Sequence, residues 1–165
     1  MTTSTEKNRP APIQKTFDVK APREIAFRVF TAEMTSWWQL ESHHVGKARA
    51  VAAVVEPRVG GRWFERGEDG SECDWGKVLA WDPPGRLVLA WQLDATFKYD
   101  PQLHTEVEVR FVDAGGGVTR VEFEHRNLEA YADKADELRA ILDSPGGWGR
   151  IVEDYAKAAE TAARS

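Results

Sequence analysis

Residues 144–163 read SPGGWGRIVEDYAKAAETAA, and this stretch decides the fold. Its apolar side chains recur at i, i+3, i+4, i+7 and i+11 and therefore share one face of a helix: Trp148, Ile151, Val152, Tyr155 and Ala159. Charged residues such as Glu153 and Lys157 lie on the opposite face. Ser144 and Pro145 are typical of a helix N-cap and first turn. A long amphipathic helix is therefore predicted, and another layer of structure has to cover its apolar face.

The chain before this helix alternates short apolar segments with turn signals, which is typical of antiparallel strands. A first strand is predicted over 13–19, then a helix over 22–31 and a short helical turn that carries Trp37 and Trp38. Six further strands follow one another through short turns: 48–56, 62–66, 73–81, 86–93, 104–112 and 119–126. A shorter helix over 131–142 leads into the C-terminal helix.

These elements predict an α+β fold in which a curved antiparallel sheet of seven strands wraps around the long C-terminal helix. The 165 residues fit one domain, which we place at 13–165 after a flexible leader of residues 1–12. A sheet wrapped around a single helix leaves space between the two layers unless large side chains fill it. The seven Trp, seven Phe and three Tyr residues are suited both to lining such a space and to filling it.

Composition and charge argue against several classes of protein. The formal net charge is -5 and no basic run occurs, whereas a nucleic-acid surface needs clustered Lys and Arg. The single Cys73 excludes an internal disulfide and a multi-cysteine zinc site. No apolar segment approaches the roughly 20 residues of a transmembrane helix. We therefore expect a cytoplasmic protein without nucleic-acid binding, membrane insertion or a bound cofactor.

Several short motifs, spread over residues 13–160, resemble those of a known family. They are Phe17-Asp-Val-Lys-Ala-Pro-Arg-Glu-Ile-Ala-Phe27, Val59-Gly-Gly-Arg-Trp63, Gly76-Lys-Val78, Asp82-Pro-Pro-Gly-Arg-Leu87, Thr119-Arg-Val-Glu-Phe-Glu-His125 and Gly146-Gly-Trp148. The chain resembles the START-like (SRPBCC) superfamily and, within it, homologues of the C-terminal domain of the heat-shock-protein-90 ATPase activator. The resemblance implies the helix-grip fold, two short helices after the first strand, and a deep cavity between the sheet and the last helix.

The resemblance leaves three functions open, because one fold supports many activities. The first hypothesis is binding of a small hydrophobic or aromatic ligand in the cavity, without defined catalysis. The second is an enzyme of the cyclase or hydratase kind, in which His125 and Glu65 form an acid–base pair. The third is a homodimeric or chaperone-associated stress-response protein that uses Trp75 and Trp81 on the outer sheet face as its contact surface. The chaperone activators also carry a separate N-terminal domain, to which nothing in residues 1–12 corresponds.

Strand parity predicts which side chains face the cavity. Parity is clear in the strands 86–93, 104–112 and 119–126. It is ambiguous in the strands 62–66 and 73–81. In 62–66 we expect Trp63 and Glu65 to point inward. In 73–81 the family pattern favours Gly76 and Val78 inward, which leaves Trp75 and Trp81 on the outer face or at a bulge. The predicted ligand contacts are Trp37, Trp38, Trp63, Glu65, Val78, Leu89, Trp91, Val109, Phe111, Phe123, His125, Trp148, Val152 and Tyr155.

Two of these residues are polar and could hold a ligand in place. His125 ends an apolar inward row, where a neutral imidazole can bond a ligand, act as a base, or bond the backbone at the core edge. Glu65 is predicted either as a buried acid with a raised pKa or as the partner of a neighbouring arginine. The segment Glu41-Ser-His-His44 contains types of metal ligand, but adjacent histidines in an extended segment point in opposite directions, so no metal site is predicted.

Overall fold

All seven predicted strands are present in the computed structural model, which describes residues 10–164. The strands are β1 (Ile13–Val19), β2 (Ala50–Val55), β3 (Arg62–Gly67), β4 (Glu72–Asp82), β5 (Arg86–Trp91), β6 (Thr105–Gly115) and β7 (Val118–Arg126). They form one antiparallel sheet in the order β1-β7-β6-β5-β4-β3-β2. Of the predicted leader, residues 1–9 lie outside the described part of the chain.

Within residues 10–164, three α-helices complete the fold: α1 (Arg23–Thr31), α2 (Ala135–Leu142) and α3 (Arg150–Arg164). Short 3-10 segments cover Met34–Ser36 and Leu128–Lys134. The long helix α3 packs against β1 and α1, and its Tyr155 hydroxyl donates a hydrogen bond of 2.7 Å to the carbonyl of Ala26. The curved sheet with a long C-terminal helix confirms the predicted α+β helix-grip fold.

The C-terminal helix begins later than the sequence predicts. Pro145–Gly149 forms a π-helical turn, and the regular helix starts only at Arg150. Gly147 has φ -99° and ψ -127°, and a Cβ atom at this position would lie 2.3 Å from the carbonyl oxygen of Leu142. The Ser144 hydroxyl donates to the Ile141 carbonyl at 2.6 Å instead of capping the helix. Ser144 is the N-cap residue of this π-helical turn and Pro145 is its first residue, as the sequence predicts, but the cap has no side-chain hydrogen bond and the regular helix begins five residues later than Pro145.

Strand β4 contains a β-bulge, which is one of the two alternatives that the sequence leaves open for Trp75. Its pairing with β3 shifts between Gly76 and Asp74, so Trp75 is the extra residue of a β-bulge. The bulge turns Trp75 inward, where only 1% of the residue is exposed. Trp81 also lies on the inner side, since its ring packs edge-on against Phe27 of α1 at 5.1 Å. The outer-face contact surface predicted from Trp75 and Trp81 is therefore wrong.

Charged residues cover the outer face of the central strands. Arg126 pairs with Glu106 at 2.8 Å and with Glu124 at 3.2 Å, and Arg86 pairs with Glu108 at 2.6 Å. These residues point away from the core as strand parity predicts, because their neighbours along the strands are buried apolar side chains. The space between sheet and helices is thus the apolar side of the molecule.

Candidate functional site

Five tryptophan residues form one buried cluster at one end of the space between the sheet and α3. They reach it by four routes: strand parity for Trp63 and Trp91, the bulge for Trp75, the bend that follows the 3-10 segment Met34–Ser36 for Trp38, and the π-helical turn for Trp148. Contacting rings have centroid distances from 4.9 to 6.3 Å, mostly edge to face. Edge-to-face contacts stabilise aromatic pairs by about 0.5–1.5 kcal/mol beyond burial, so the cluster is a rigid apolar wall.

A cavity of about 340 Å³ opens on this cluster. Four indoles line it. The loop before β2, the loop after β5 and the turn between α2 and α3 contribute further lining residues. The lining residues are Trp38, Ser42, His43, His44, Val45, Trp75, Trp91, Leu93, Phe97, Ile141, Leu142, Gly146, Gly147, Trp148 and Ile151. Phe97 and Ile141 remain 38% and 48% exposed. The cavity is therefore apolar and within the size range of small-ligand sites, about 300–1,000 Å³.

Glu65 holds the loop before β2 in place. This loop, together with Phe97 and Ile141, borders the opening of the cavity, here called the mouth. The Glu65 carboxylate accepts hydrogen bonds from the backbone N–H groups of Val45 and Gly46 and, at 2.8 Å, from the indole N–H of Trp75. Only 2% of Glu65 is exposed. The predicted partners Arg62 and Arg66 pair with Asp74 and Glu72 on the outer face. Glu65 thus fixes the shape of the mouth through main-chain contacts.

His125 is completely buried behind the tryptophan wall and hydrogen-bonded at both ring nitrogens. The indole N–H of Trp148 donates to Nδ1 at 3.0 Å, so the proton of the neutral ring must be on Nε2. Nε2 lies 3.0 Å from the hydroxyl oxygen of Thr105, which donates its own proton to the Trp91 carbonyl at 2.8 Å. Desolvation lowers the pKa of His125 to about 3, because complete burial disfavours the protonated, charged ring.

This burial predicts that the protein loses stability in mild acid. Between pH 6.5, the ordinary pKa of histidine, and pH 3, the unfolded state binds a proton at His125 that the native state does not. The contribution of neutral His125 is therefore complete above pH 6.5 and falls as the pH is lowered through this window. We expect the free energy of unfolding to drop by about 2–3 kcal/mol from pH 7 to pH 4.5 through this residue alone.

Urea denaturation across that pH range measures how steeply the free energy of unfolding depends on pH. In the His125→Gln variant the amide oxygen can accept from Trp148 and the amide nitrogen can donate to Thr105, so the fold has a matched substitute without a titrating group. The variant should show a flatter dependence of stability on pH. An unchanged slope would mean that other groups carry the acid sensitivity.

The predicted ligand contacts are only partly brought together. Three of them, Trp38, Trp91 and Trp148, line the cavity. Trp63, Glu65, Phe123 and His125 lie directly behind its wall. The others are buried in the core and do not line the cavity: Trp37, Val78, Leu89, Val109, Phe111, Val152 and Tyr155. Rings such as Trp37, Phe30 and Tyr155 contact one another at 5.1 to 5.3 Å and fill that part of the space.

Sequence reasoning missed the residues that form the mouth. Phe97 and Ile141 are apolar yet exposed, and the loops that carry them have no periodicity that predicts orientation. The sequence indicates no role for His43 and His44 other than metal binding, which their adjacent positions argue against. Within residues 10–164, no group of three or more His, Cys, Asp or Glu side chains could hold a metal ion. In the same part of the chain, no helix is both long and apolar enough to cross a membrane.

Solved structures similar to this chain include two that match it above 25% identity. One is an anthrahydroquino-γ-pyrone synthase, Txn09, with 37% identity, a TM-score of 0.63, and coverage of 90% of this chain and 97% of that one. The other is the self-sacrificing resistance protein CalC from Micromonospora echinospora, with 29% identity, a TM-score of 0.69, and coverage of 92% and 95%.

A further structure, an HSP90 activator from Plasmodium falciparum, is 21% identical and shares the fold, with a TM-score of 0.50 and coverage of 72% and 74%. No curated protein sequence matches the chain significantly. The family model described as "Activator of Hsp90 ATPase homolog 1-like protein" matches residues 20–159, which include every strand except β1, the helices α1 and α2, and the first ten of the fifteen residues of α3. By this match, the chain belongs to the family of proteins that resemble the activator of Hsp90 ATPase homologue 1.

Proposed function

We propose that this protein binds a small, planar aromatic molecule in the tryptophan-lined cavity. The observation that carries the proposal is that four indoles, Trp38, Trp75, Trp91 and Trp148, line a single cavity of about 340 Å³. Flat, rigid walls favour flat ligands, because an aromatic ring can stack on or meet the edge of each indole. A flexible aliphatic chain would gain fewer such contacts and would lose more conformational freedom on binding.

The comparisons support the same class of ligand. The synthase with 37% identity is named for an anthrahydroquino-γ-pyrone, which is a fused aromatic ring system. The match extends over nearly the whole of both chains, and this family commonly binds hydrophobic ligands. A fused-ring molecule also suits the exposed rim of Phe97 and Ile141, which would cover the part of the ligand that protrudes.

Titration with prodan, an uncharged naphthalene fluorophore, tests the proposal. Saturable one-to-one binding should quench tryptophan emission and shift the probe emission to shorter wavelength. The Ile141→Arg variant places a charge at the cavity mouth on an exposed position of α2, so the fold should be retained. We expect it to weaken binding about tenfold or more, because a charge next to an apolar ligand has to be desolvated.

Val59→Arg is the matched control for this variant. Val59 is also an exposed apolar residue, 65% accessible, and lies in the turn before β3, away from the cavity. Its binding constant should equal that of the wild type. Absence of saturable binding in a folded sample, or equal effects of the two arginines, would contradict ligand binding in this cavity.

Catalysis on the same class of molecule is the second candidate, favoured by the 37% identity to a synthase. The pair suggested by the sequence, His125 and Glu65, is not joined by a hydrogen bond: each contacts a different indole, and neither lines the cavity. Catalysis would therefore depend on the side chains that line the cavity. A change in the mass of a bound polyketide-type aromatic during incubation would distinguish an enzyme from a carrier.

A further inference from the structure

The polar side chains of the cavity all lie on one short segment of the loop before β2. Among the lining residues, only Ser42, His43 and His44 carry hydroxyl or imidazole groups. The indole N–H groups of Trp38, Trp75 and Trp148 donate to protein acceptors, and that of Trp91 is buried in the wall without a hydrogen-bond partner among the described residues. The lining side chains therefore offer a hydrogen-bond acceptor to a ligand at one edge of the cavity only.

Two of the three polar residues are engaged with each other. Nε2 of His43 lies 2.8 Å from the carbonyl oxygen of Gly146, and since a carbonyl can only accept, Nε2 carries the proton. Nδ1 of His43 must then accept, and the Ser42 hydroxyl donates to it at 2.7 Å. This chain of hydrogen bonds ties the loop to the turn before α3. It leaves no free nitrogen on His43 and no free proton on Ser42.

His44 is different, because one of its ring nitrogens has no partner. Its Nδ1 lies 2.9 Å from the carbonyl oxygen of Gly46, so in the neutral ring Nδ1 carries the proton and donates it. Nε2 then has an unshared electron pair. No hydrogen bond to this atom occurs among residues 10–164, and the half-buried ring lines the cavity. The local backbone thus fixes the tautomer that presents an acceptor.

We infer that Nε2 of His44 accepts a hydrogen bond from a hydroxyl group of the ligand, so that the cavity selects phenols among planar aromatic molecules. The inference rests on the proposed binding function and specifies its ligand. A phenol matches both parts of the site: the flat ring contacts the indoles, and the hydroxyl at its edge reaches Nε2 of His44, the unpaired side-chain acceptor among the described lining residues. A polar group elsewhere on the ring would face Leu93, Leu142 or Ile151 and lose its hydration without compensation.

The test compares 2-naphthol with 2-methoxynaphthalene, a pair that shares the ring system and differs in whether the oxygen can donate. Binding of each is followed by quenching of tryptophan emission in the wild type, His44→Phe and His44→Gln. We expect the wild type to bind 2-naphthol about five- to tenfold more tightly than the ether, the range of one hydrogen bond. The preference should vanish in His44→Phe and return in part in His44→Gln, whose amide oxygen can accept.

The ether serves as an internal control for the fold of the mouth. If His44→Phe binds 2-methoxynaphthalene as the wild type does, the cavity is intact and only the acceptor has been removed. Equal affinity of the wild type for both compounds, or a naphthol preference that survives in His44→Phe, would overturn the role of His44 while leaving cavity binding in place. Failure of both compounds to bind the wild type would instead overturn the proposed function itself.

Discussion

The Gly76→Ala substitution should lower the free energy of unfolding by about 3–5 kcal/mol, among the largest effects of a single methyl group. A Cβ atom at position 76 would lie 1.7 Å from the carbonyl oxygen of Ala90 and 2.8 Å from its carbonyl carbon. These are backbone atoms of β5, so they cannot rotate away, and the β4–β5 ladder has to separate. Gly76 pairs with Trp91, so the separation would also displace one wall of the cavity.

Urea denaturation followed by far-UV circular dichroism measures this loss. Gly85→Ala is the matched control, because a Cβ there meets nothing closer than the Arg23 guanidinium at 3.7 Å. The control should change stability by less than about 1 kcal/mol. If Gly76→Ala behaved like Gly85→Ala, the close approach of β4 and β5 at the bulge would be refuted.

The Glu65→Leu substitution should cost about 3 kcal/mol or more and loosen the cavity mouth. It removes the acceptor of three donors, the N–H groups of Val45 and Gly46 and the indole of Trp75. Each unpaired buried donor costs about 1–3 kcal/mol, although loop movement toward water recovers part of this. Hydrogen exchange at the amides of Val45 and Gly46 should accelerate strongly even under conditions where the protein stays folded.

Glu41→Leu is the control for the Glu65 variant, since it makes the same change on an exposed residue of the same loop. Its stability should stay within about 0.5 kcal/mol of the wild type. Slow exchange of both amides in Glu65→Leu would show that the loop is held by other contacts.

The fold could be predicted from sequence because its elements have strong and independent periodicities. In β6 and β7 apolar and charged residues alternate over 106–111 and 120–124, β5 is a continuous apolar run after Arg86, and the helix α3 has a continuous apolar face. The orientation of side chains in strand β4 cannot be predicted in the same way. A bulge at Trp75 and a second register shift between Val78 and Ala80 change the parity within one strand, and nothing in the local sequence fixes where a bulge occurs.

The candidate site could be predicted only in part, for a related reason. Strand parity identifies the inward row that contains Trp91, but it cannot say which part of the interior stays empty. That depends on contacts between residues far apart in sequence, such as the hydrogen bond between His43 and Gly146, which are 103 positions apart. The hydrogen bonds of His125 could not be predicted for the same reason, because Trp148 and Thr105 reach its two ring nitrogens only in the folded chain.

The way Glu65 holds the mouth loop has a consequence for how proteins of this kind diversify. The carboxylate bonds the main-chain N–H groups of Val45 and Gly46, so this part of the loop is held by contacts that do not involve the side chain of His44. That side chain is the one that offers an unpaired polar atom to the cavity. Substitution at position 44 can exchange one recognised molecule for another while the contacts of Glu65 keep the loop in place. The mouth thus separates a fixed backbone scaffold from a replaceable set of contacts, which makes it the natural place to evolve or engineer a new ligand preference.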